Sequence, residues 1–330
     1  MLRRTLLLLP VAPMAALVSC RRRSGRDRMP LRVSLSRILT MAPFYVGYEA
    51  GYFRDAGFDI QLSKELPGVQ SLPLLAAGSL DVGFVGLTPG MVNAVRRGAR
   101  LRLVAGREIS SRSCDIHSRI FVRASDFPQG IPDLRPLRGR RIALSSSSVF
   151  GYFCLDQLLA RAGMKRSDVV IRPMGANDRL AALRAGGVDA FLSTGSDMNP
   201  MLRQLQIAPG PGLADVLPGF QYSYIAFGAR LLDADVRRGA AFLRAYLRGA
   251  REYLGGKTPA FVEQYAKDAG LDPKLVRAGC RDSFEADGHM HQNDIKMFLD
   301  WLITQNYIPE AARVESVVDT RFLNEMQRTA

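Results

Sequence analysis

Alternation of apolar and polar residues marks strands along this chain, and apolar residues three or four apart mark helices. Leu31 to Leu35 alternates and predicts a strand. Phe44 to Arg54 is amphipathic, with Pro43 placed for a first helical turn, and Gly57 stops it. Phe58 to Leu62 is a second strand, followed by a helix from Val69 to Ala77 that Gly78 ends. Asp81 to Val85 predicts a third strand, Thr88 to Arg97 a helix, and Leu101 to Ala105 a fourth strand. Strand and helix alternating through short loops imply an α/β fold with a largely parallel sheet.

A second round follows the Pro-rich stretch from Phe127 to Pro136. Arg141 to Leu144, Val169 to Arg172 and Val188 to Leu192 predict strands. Helices fall at Val149 to Ala162, which Ser145 to Ser148 can cap, and at Asp178 to Ala185. A Pro/Gly segment over 208–219 closes this unit, and the apolar strand Tyr222 to Phe227 carries the chain back to the first. The remainder is mostly helical: Val236 to Leu254, starts near Pro259 and Pro273, and His291 to Asn306. Trp301, on the last of these, is expected in the core.

The composition, 47% hydrophobic and 23% charged, excludes a disordered or fibrous chain. Four cysteines exclude a disulfide-built scaffold. No run is long and apolar enough for a polytopic membrane protein. The N-terminus changes the picture. Arg3 and Arg4 precede an apolar run from Leu6 to Val18, interrupted by Pro10 and Pro13, and the run ends Leu17-Val18-Ser19-Cys20. A positive start, a short apolar stretch and small residues before the cut describe a signal peptide over residues 1–19. The ending resembles the lipobox of bacterial lipoproteins, which implies acylation of Cys20 and a lipidated tether over residues 20–29. The tether is basic and polar, suited either to a solvated leash or to anionic headgroups. The net charge of +14 invites a nucleic-acid partner. Export, and arginines scattered over many helices, argue against one.

Candidate chemistry is sparse. His117, His289 and His291 lack metal-ligand spacing, so no metal and no cofactor are expected. Cys114, Cys154 and Cys280 form no C-x-x-C pair and allow one disulfide at most. Neither a phosphate-binding loop nor a nucleophile elbow is present, so no catalytic residues are expected.

Ala42-Pro43-Phe44-Tyr45-Val46-Gly47-Tyr48-Glu49-Ala50-Gly51-Tyr52-Phe53, followed by Ala56 to Ile60, resembles a signature of the substrate-binding proteins of ABC importers for nitrate, sulfonates, taurine and thiamine-precursor pyrimidines. Gly68 to Gln70 with Leu74 to Gly83 resembles the family's next block. Leu137 to Ile142 with Ser145 to Ser148 is similar to the opening of its second lobe, and Leu183 to Ala190 to a later block. Asp300 through Asp319, with Phe322 and Leu323, is similar to its C-terminal helices. The resemblance implies a type II periplasmic binding protein fold: two α/β lobes on a hinge, lobe 1 over residues 30–120 plus 222–330 and lobe 2 over 121–221. It implies a small-molecule ligand, the transmembrane subunits of an ABC permease as partner, an exported monomer in the cell envelope, and a membrane anchor through lipid. A sensor or structural lipoprotein with the same fold and no permease is the other reading. Pyrimidine synthases of the same superfamily use a cysteine cluster and a histidine that this chain lacks at matching places.

In such sheets ligands bind outside the strand carboxyl ends, against helix N-termini. The corresponding residues are Thr40 and Met41, Gly68, Thr88, Ser145, Ser146 and Ser147, Asn177 and Thr194. Plain helix capping uses the same residue types. Phe44, Tyr45, Phe150 and Tyr152 offer aromatic walls, Tyr222 is a further candidate ligand residue, and Arg107 offers a fork for a sulfonate or carboxylate, or else an ion pair with Glu108 at the surface. Asp178 and Asp197 are the nearest acids for a ring amine. Anionic and heteroaromatic ligands both remain open.

Overall fold

The computed structural model describes residues 28–35, 37–63, 68–112, 118–145, 148–193, 205–268, 272–278, 281 and 283–328. The expected signal peptide, Cys20, Ser146, Ser147, Thr194, Asp197, His117, Cys114 and Cys280 lie outside the described residues.

Two five-stranded sheets form the frame. The first takes β1 (Met29–Ser34), β2 (Phe58–Ser63), β3 (Val82–Val85), β4 (Leu101–Ile109) and β10 (Gln221–Gly228) in the order β2-β1-β3-β10-β4. The second takes β5 (Arg119–Arg123), β6 (Arg141–Ser145), β7 (Val170–Met174), β8 (Ala190–Ser193) and β9 (Ile207–Gly212) in the order β7-β6-β8-β5-β9. Each sheet has three parallel strands, then one that runs against both its neighbours: β10 between β3 and β4, and β5 between β8 and β9. The sheets are mixed, as the α/β pattern with a returning strand requires.

The chain crosses between sheets after β4 and again before β10. The two crossings are tied together. The Ser110 N–H donates to the Phe220 carbonyl (2.8 Å), the Gly219 N–H to the Ser110 carbonyl (2.9 Å), and the Phe220 N–H to Ser110 Oγ (2.9 Å).

Helices α1 (Ala42–Glu49), α2 (Tyr52–Asp55), α3 (Gly68–Ala76) and α4 (Pro89–Arg96) serve the first sheet, and α5 (Val149–Arg161) and α6 (Ala176–Arg184) the second. The segment expected as one helix from Phe44 to Arg54 breaks in two, because Gly51 adopts φ 80°, a conformation glycine tolerates without cost. The long helix Val236–Leu254 matches its apolar periodicity and buries Phe242, Leu243, Tyr246 and Leu247 against the first sheet. Phe44 sits at the centre of that core, stacked on Phe53 with ring centres 4.7 Å apart. Such pairs contribute about 0.5–1.5 kcal/mol beyond the area they bury.

Three strands run against expectation: β5 (Arg119–Arg123) falls where the sequence reading has no strand. Segment 208–219, read as a Pro/Gly loop, supplies β9. It is an edge strand, so Pro209 and Pro211 remove no hydrogen bond that a second neighbour would need. β4 continues past Ala105 to Ile109, which places Arg107 and Glu108 inside the strand rather than after it.

Candidate functional site

A cavity of about 810 Å³ opens between the two sheets. Thr40, Phe84, Leu87 and Thr88 line it from the first sheet's strand ends and loops. Ser118, Ser148, Val149 and Phe150 line it from the second, beside the carboxyl ends of β8 and β6. Gln221, Tyr222, Ser223 and Tyr224 of β10 form its floor, and Phe298 of the helix Gln292–Thr304 closes one side. Two other cavities, of about 710 and 690 Å³, are lined only by residues between 119 and 216 and do not touch the first sheet.

The helix starts around the cavity are capped in the way the sequence suggests. Thr88 Oγ1 accepts the Met91 N–H (3.1 Å) at the head of α4. Ser148 Oγ accepts the Gly151 N–H (3.3 Å) at the head of α5. Each cap satisfies one otherwise unpaired amide, and both residues also line the cavity.

Arg107 is the most heavily engaged side chain there. It is 4% exposed. Its Nε donates to Ser223 Oγ (3.0 Å), its Nη1 to the Thr40 carbonyl and to Met41 Sδ, and its Nη2 to Glu108. The expected surface pair with Glu108 is therefore a buried one, and the fork expected to hold a ligand is spent on protein groups. Glu108 neutralises it, so this wall carries no net charge. Gln221, fully buried, ties the floor to the segment before the last long helix. Its N–H donates to Asp294 (2.8 Å), its Nε2 to the His289 carbonyl (2.8 Å), and its Oε1 accepts from the His291 N–H (3.0 Å). Gly106 leaves room for this: a Cβ there would lie 2.1 Å from both Gln221 Nε2 and the His289 carbonyl. His291 is held between Glu285 (3.0 Å) and Asp294 (3.1 Å). Burial pushes the Glu285 carboxyl up, against the pull of His291. No group of three metal-ligating side chains occurs among the described residues.

Five residues expected at the ligand stand on the cavity wall: Thr40, Thr88, Arg107, Phe150 and Tyr222. Met41, Phe44 and Tyr45 do not. They are buried in the first sheet's packing, where Tyr45 meets Phe261 at 4.9 Å, because the turn after Thr40 points these positions of α1 inward. Ser145 ends β6 and is not among the lining residues. Gly68 opens α3 and Asn177 lies in the first turn of α6. Asp178 is exposed. Sequence reasoning missed Phe84, Ser118, Phe220, Gln221 and Phe298 as wall residues.

An aromatic row runs from the cavity to the outside. Phe298 meets Phe150 edge-on (5.7 Å) and stacks on Trp301 (5.7 Å, 11°). Trp301, expected in the core, is half-buried, and its Nε1 donates to Asp156 of α5 (2.9 Å). Asp156 also pairs with both Nε and Nη2 of Arg166, whose guanidinium lies over the Trp301 ring at 5.6 Å. This joins the helix Gln292–Thr304 to α5 and the segment after it.

With this geometry in view, residues 39–260 match a family model described as NMT1/THI5 like. Solved structures share the fold. The alkanesulfonate-binding protein SsuA from Xanthomonas axonopodis pv. citri, bound to MOPS, is 19% identical over 89% of this chain and 99% of that one, with a TM-score of 0.67. The periplasmic nitrate-binding protein NrtA from Synechocystis PCC 6803 is 13% identical over 92% and 89%, with a TM-score of 0.65. The desulfurization enzyme DszB is 17% identical over 92% and 99%, with a TM-score of 0.61. No curated relative matches the chain at a significant level.

Proposed function

Because the chain belongs to the NMT1/THI5-like family, we propose that it is the exported solute-binding subunit of an ABC-type importer. Its ligand is a small organic solute, anionic or heteroaromatic, seated in the cavity between the lobes. Its partner is a permease that recognises the closed form. Acyl chains on Cys20 hold it at the membrane as a monomer; no helix among the described residues is long and apolar enough to cross one.

The observation that carries this reading is the shared cavity of about 810 Å³, with aromatic walls and hydroxyl-capped helix starts from both sheets. Such a site suits a ligand with an apolar body and a few polar atoms. Closing two lobes over it selects the ligand-bound state without a covalent step. The neighbours named for alkanesulfonate and nitrate binding support the anionic class. The desulfurization enzyme shows that this fold also hosts chemistry. The described cavity lining supports binding: its polar groups are hydroxyls, amides, the closed Arg107–Glu108 pair and the exposed Arg97.

A thermal-shift screen tests this, using residues 21–330 against sulfonates, carboxylates, nitrate, pyrimidines and flavin-like rings. A true ligand at one hundred times its dissociation constant raises stability by about 2.7 kcal/mol. A folded protein that shifts with none of them leaves the sensor or structural lipoprotein in its place.

A further inference from the structure

The chain's two crossings between the sheets lie together at Ser110, Gly219 and Phe220. Lobes joined along one such line can swing about it. The helix Gln292–Thr304 adds a contact away from that line. It is anchored on the first sheet at both ends. Asp294 accepts the Gln221 N–H of β10 (2.8 Å). After the helix the chain returns to β4, where Val318 bridges Leu103 and the Asp319 N–H donates to the Leu103 carbonyl (2.8 Å). Between these anchors Phe298 and Trp301, three residues apart on one helix face, meet α5 of the second lobe. The Phe153 ring lies edge-on to both, at 5.1 and 5.6 Å.

Rings packed in this way tolerate sliding, because their attraction has little direction. The polar group beside them does not. Trp301 Nε1 donates to Asp156 (2.9 Å), and the Arg166 fork closes on both Asp156 oxygens (2.5 and 2.7 Å). The Arg166 guanidinium lies over the Tyr152 ring at 5.3 Å as well as the Trp301 ring at 5.6 Å. One carboxylate thus takes two bonds from its own lobe and one from the other. Asp294 and Trp301 stand two turns apart, about 10 Å along the helix. At that arm a swing of about 6° moves Asp156 by about 1 Å, which takes a bond of normal length out of range.

We propose that Asp156, Arg166 and Trp301 form an angular latch between the lobes. The second lobe supplies the fork-held carboxylate and the first the indole N–H. Their bond sets the angle at which Phe298 faces Phe150 across the cavity wall. The three are positioning residues: none lines the cavity, and they act on it through those two rings. The latch is a property of the chain alone, so it stands or falls apart from the solute-binding reading.

Hydrogen exchange and small-angle X-ray scattering on residues 21–330, with no solute added, test this. Trp301→Phe keeps a ring and loses the N–H. Asp156→Ala removes both ties. In each variant the amides of Ser110, Gly219 and Phe220 exchange about tenfold faster, the low end of what a hydrogen bond to a charged group contributes. Amides of β1 and β6 stay within about twofold of the wild type, since opening at the hinge leaves the sheet centres closed. The radius of gyration rises as the cleft widens. Asp156→Asn keeps an acceptor for Trp301 but not the charge that Arg166 holds; it falls between, and serves if Asp156→Ala does not fold. Equal acceleration throughout the chain makes the trio ordinary packing and overturns the proposal. Hinge amides that keep the wild-type rate, or an unchanged scattering profile, overturn it too.

Discussion

In the first lobe Arg32 lies within β1. Its N–H and Nε both donate to Asp81 Oδ2 (2.8 and 3.1 Å), its Nη2 donates to Oδ1 (2.9 Å), and the Asp81 N–H returns to the Arg32 carbonyl (2.9 Å). In the second lobe Arg141 opens β6 and makes the same bonds to Asp189, at 2.9, 3.0 and 3.1 Å, with the return bond at 2.8 Å. The two sheets thus share strand order and a four-bond staple between equivalent strands. They differ in a buried arginine: Arg107 is closed by Glu108, whereas Arg179 has no carboxylate partner among the described residues. What the halves share holds the fold.

The largest effect should come from breaking the balanced pair. Glu108→Gln leaves the Arg107 cation buried and unpaired, at an expected loss of about 3–5 kcal/mol in urea denaturation. Arg179→Met should cost nothing comparable. Equal losses would mean that Arg179 is balanced after all, and the contrast would disappear.

Next comes the staple. Asp81→Asn removes the acceptor shared by Arg32 and Arg230, and about 2 kcal/mol should be lost, less than a fully buried pair because the arginines are partly exposed. The second-lobe copy is read by pH. Hydrogen bonds from Arg141 hold Asp189 down to about 2, from 3.8. Its folded pKa is depressed, so its contribution is full above about pH 4 and is lost as pH falls toward 2. Asp189→Asn should flatten the stability profile in that window; an unchanged profile would show that the second staple carries no stability. The smallest effect is local: Thr88→Ala removes the α4 cap and should cost about 1 kcal/mol by thermal unfolding.

The staple's acids fall inside two blocks that the sequence marked, Leu74 to Gly83 and Leu183 to Ala190, but nothing there showed their role. Their arginine partners lie 49 and 48 residues away with nothing local to mark them. Thr88 and Ser148 were readable because capping residues announce helix starts. Phe44 and Tyr45 misled because adjacency to a loop does not fix which face of a helix a ring takes; here both turn inward to the core. Apart from Tyr222, the β10 floor escaped notice; Ser223, for one, meets Arg107 across 116 residues. Arg179 was hidden in a helix whose other arginine, Arg184, is exposed, and the two cannot be told apart by spacing alone. β9 was lost to its prolines, which only an edge position permits.

The central claim is that a solute seats between the lobes, and the single tryptophan reports on that place. Trp301 stacks on Phe298 of the cavity wall and bonds to Asp156 on the opposite lobe, so ligand entry and lobe closure both change its surroundings. Titrating the chain with the solute that gives the largest thermal shift should produce a saturable change in Trp301 emission, with the dissociation constant found by calorimetry. Binding seen by calorimetry with flat Trp301 emission would place the solute elsewhere and contradict the account.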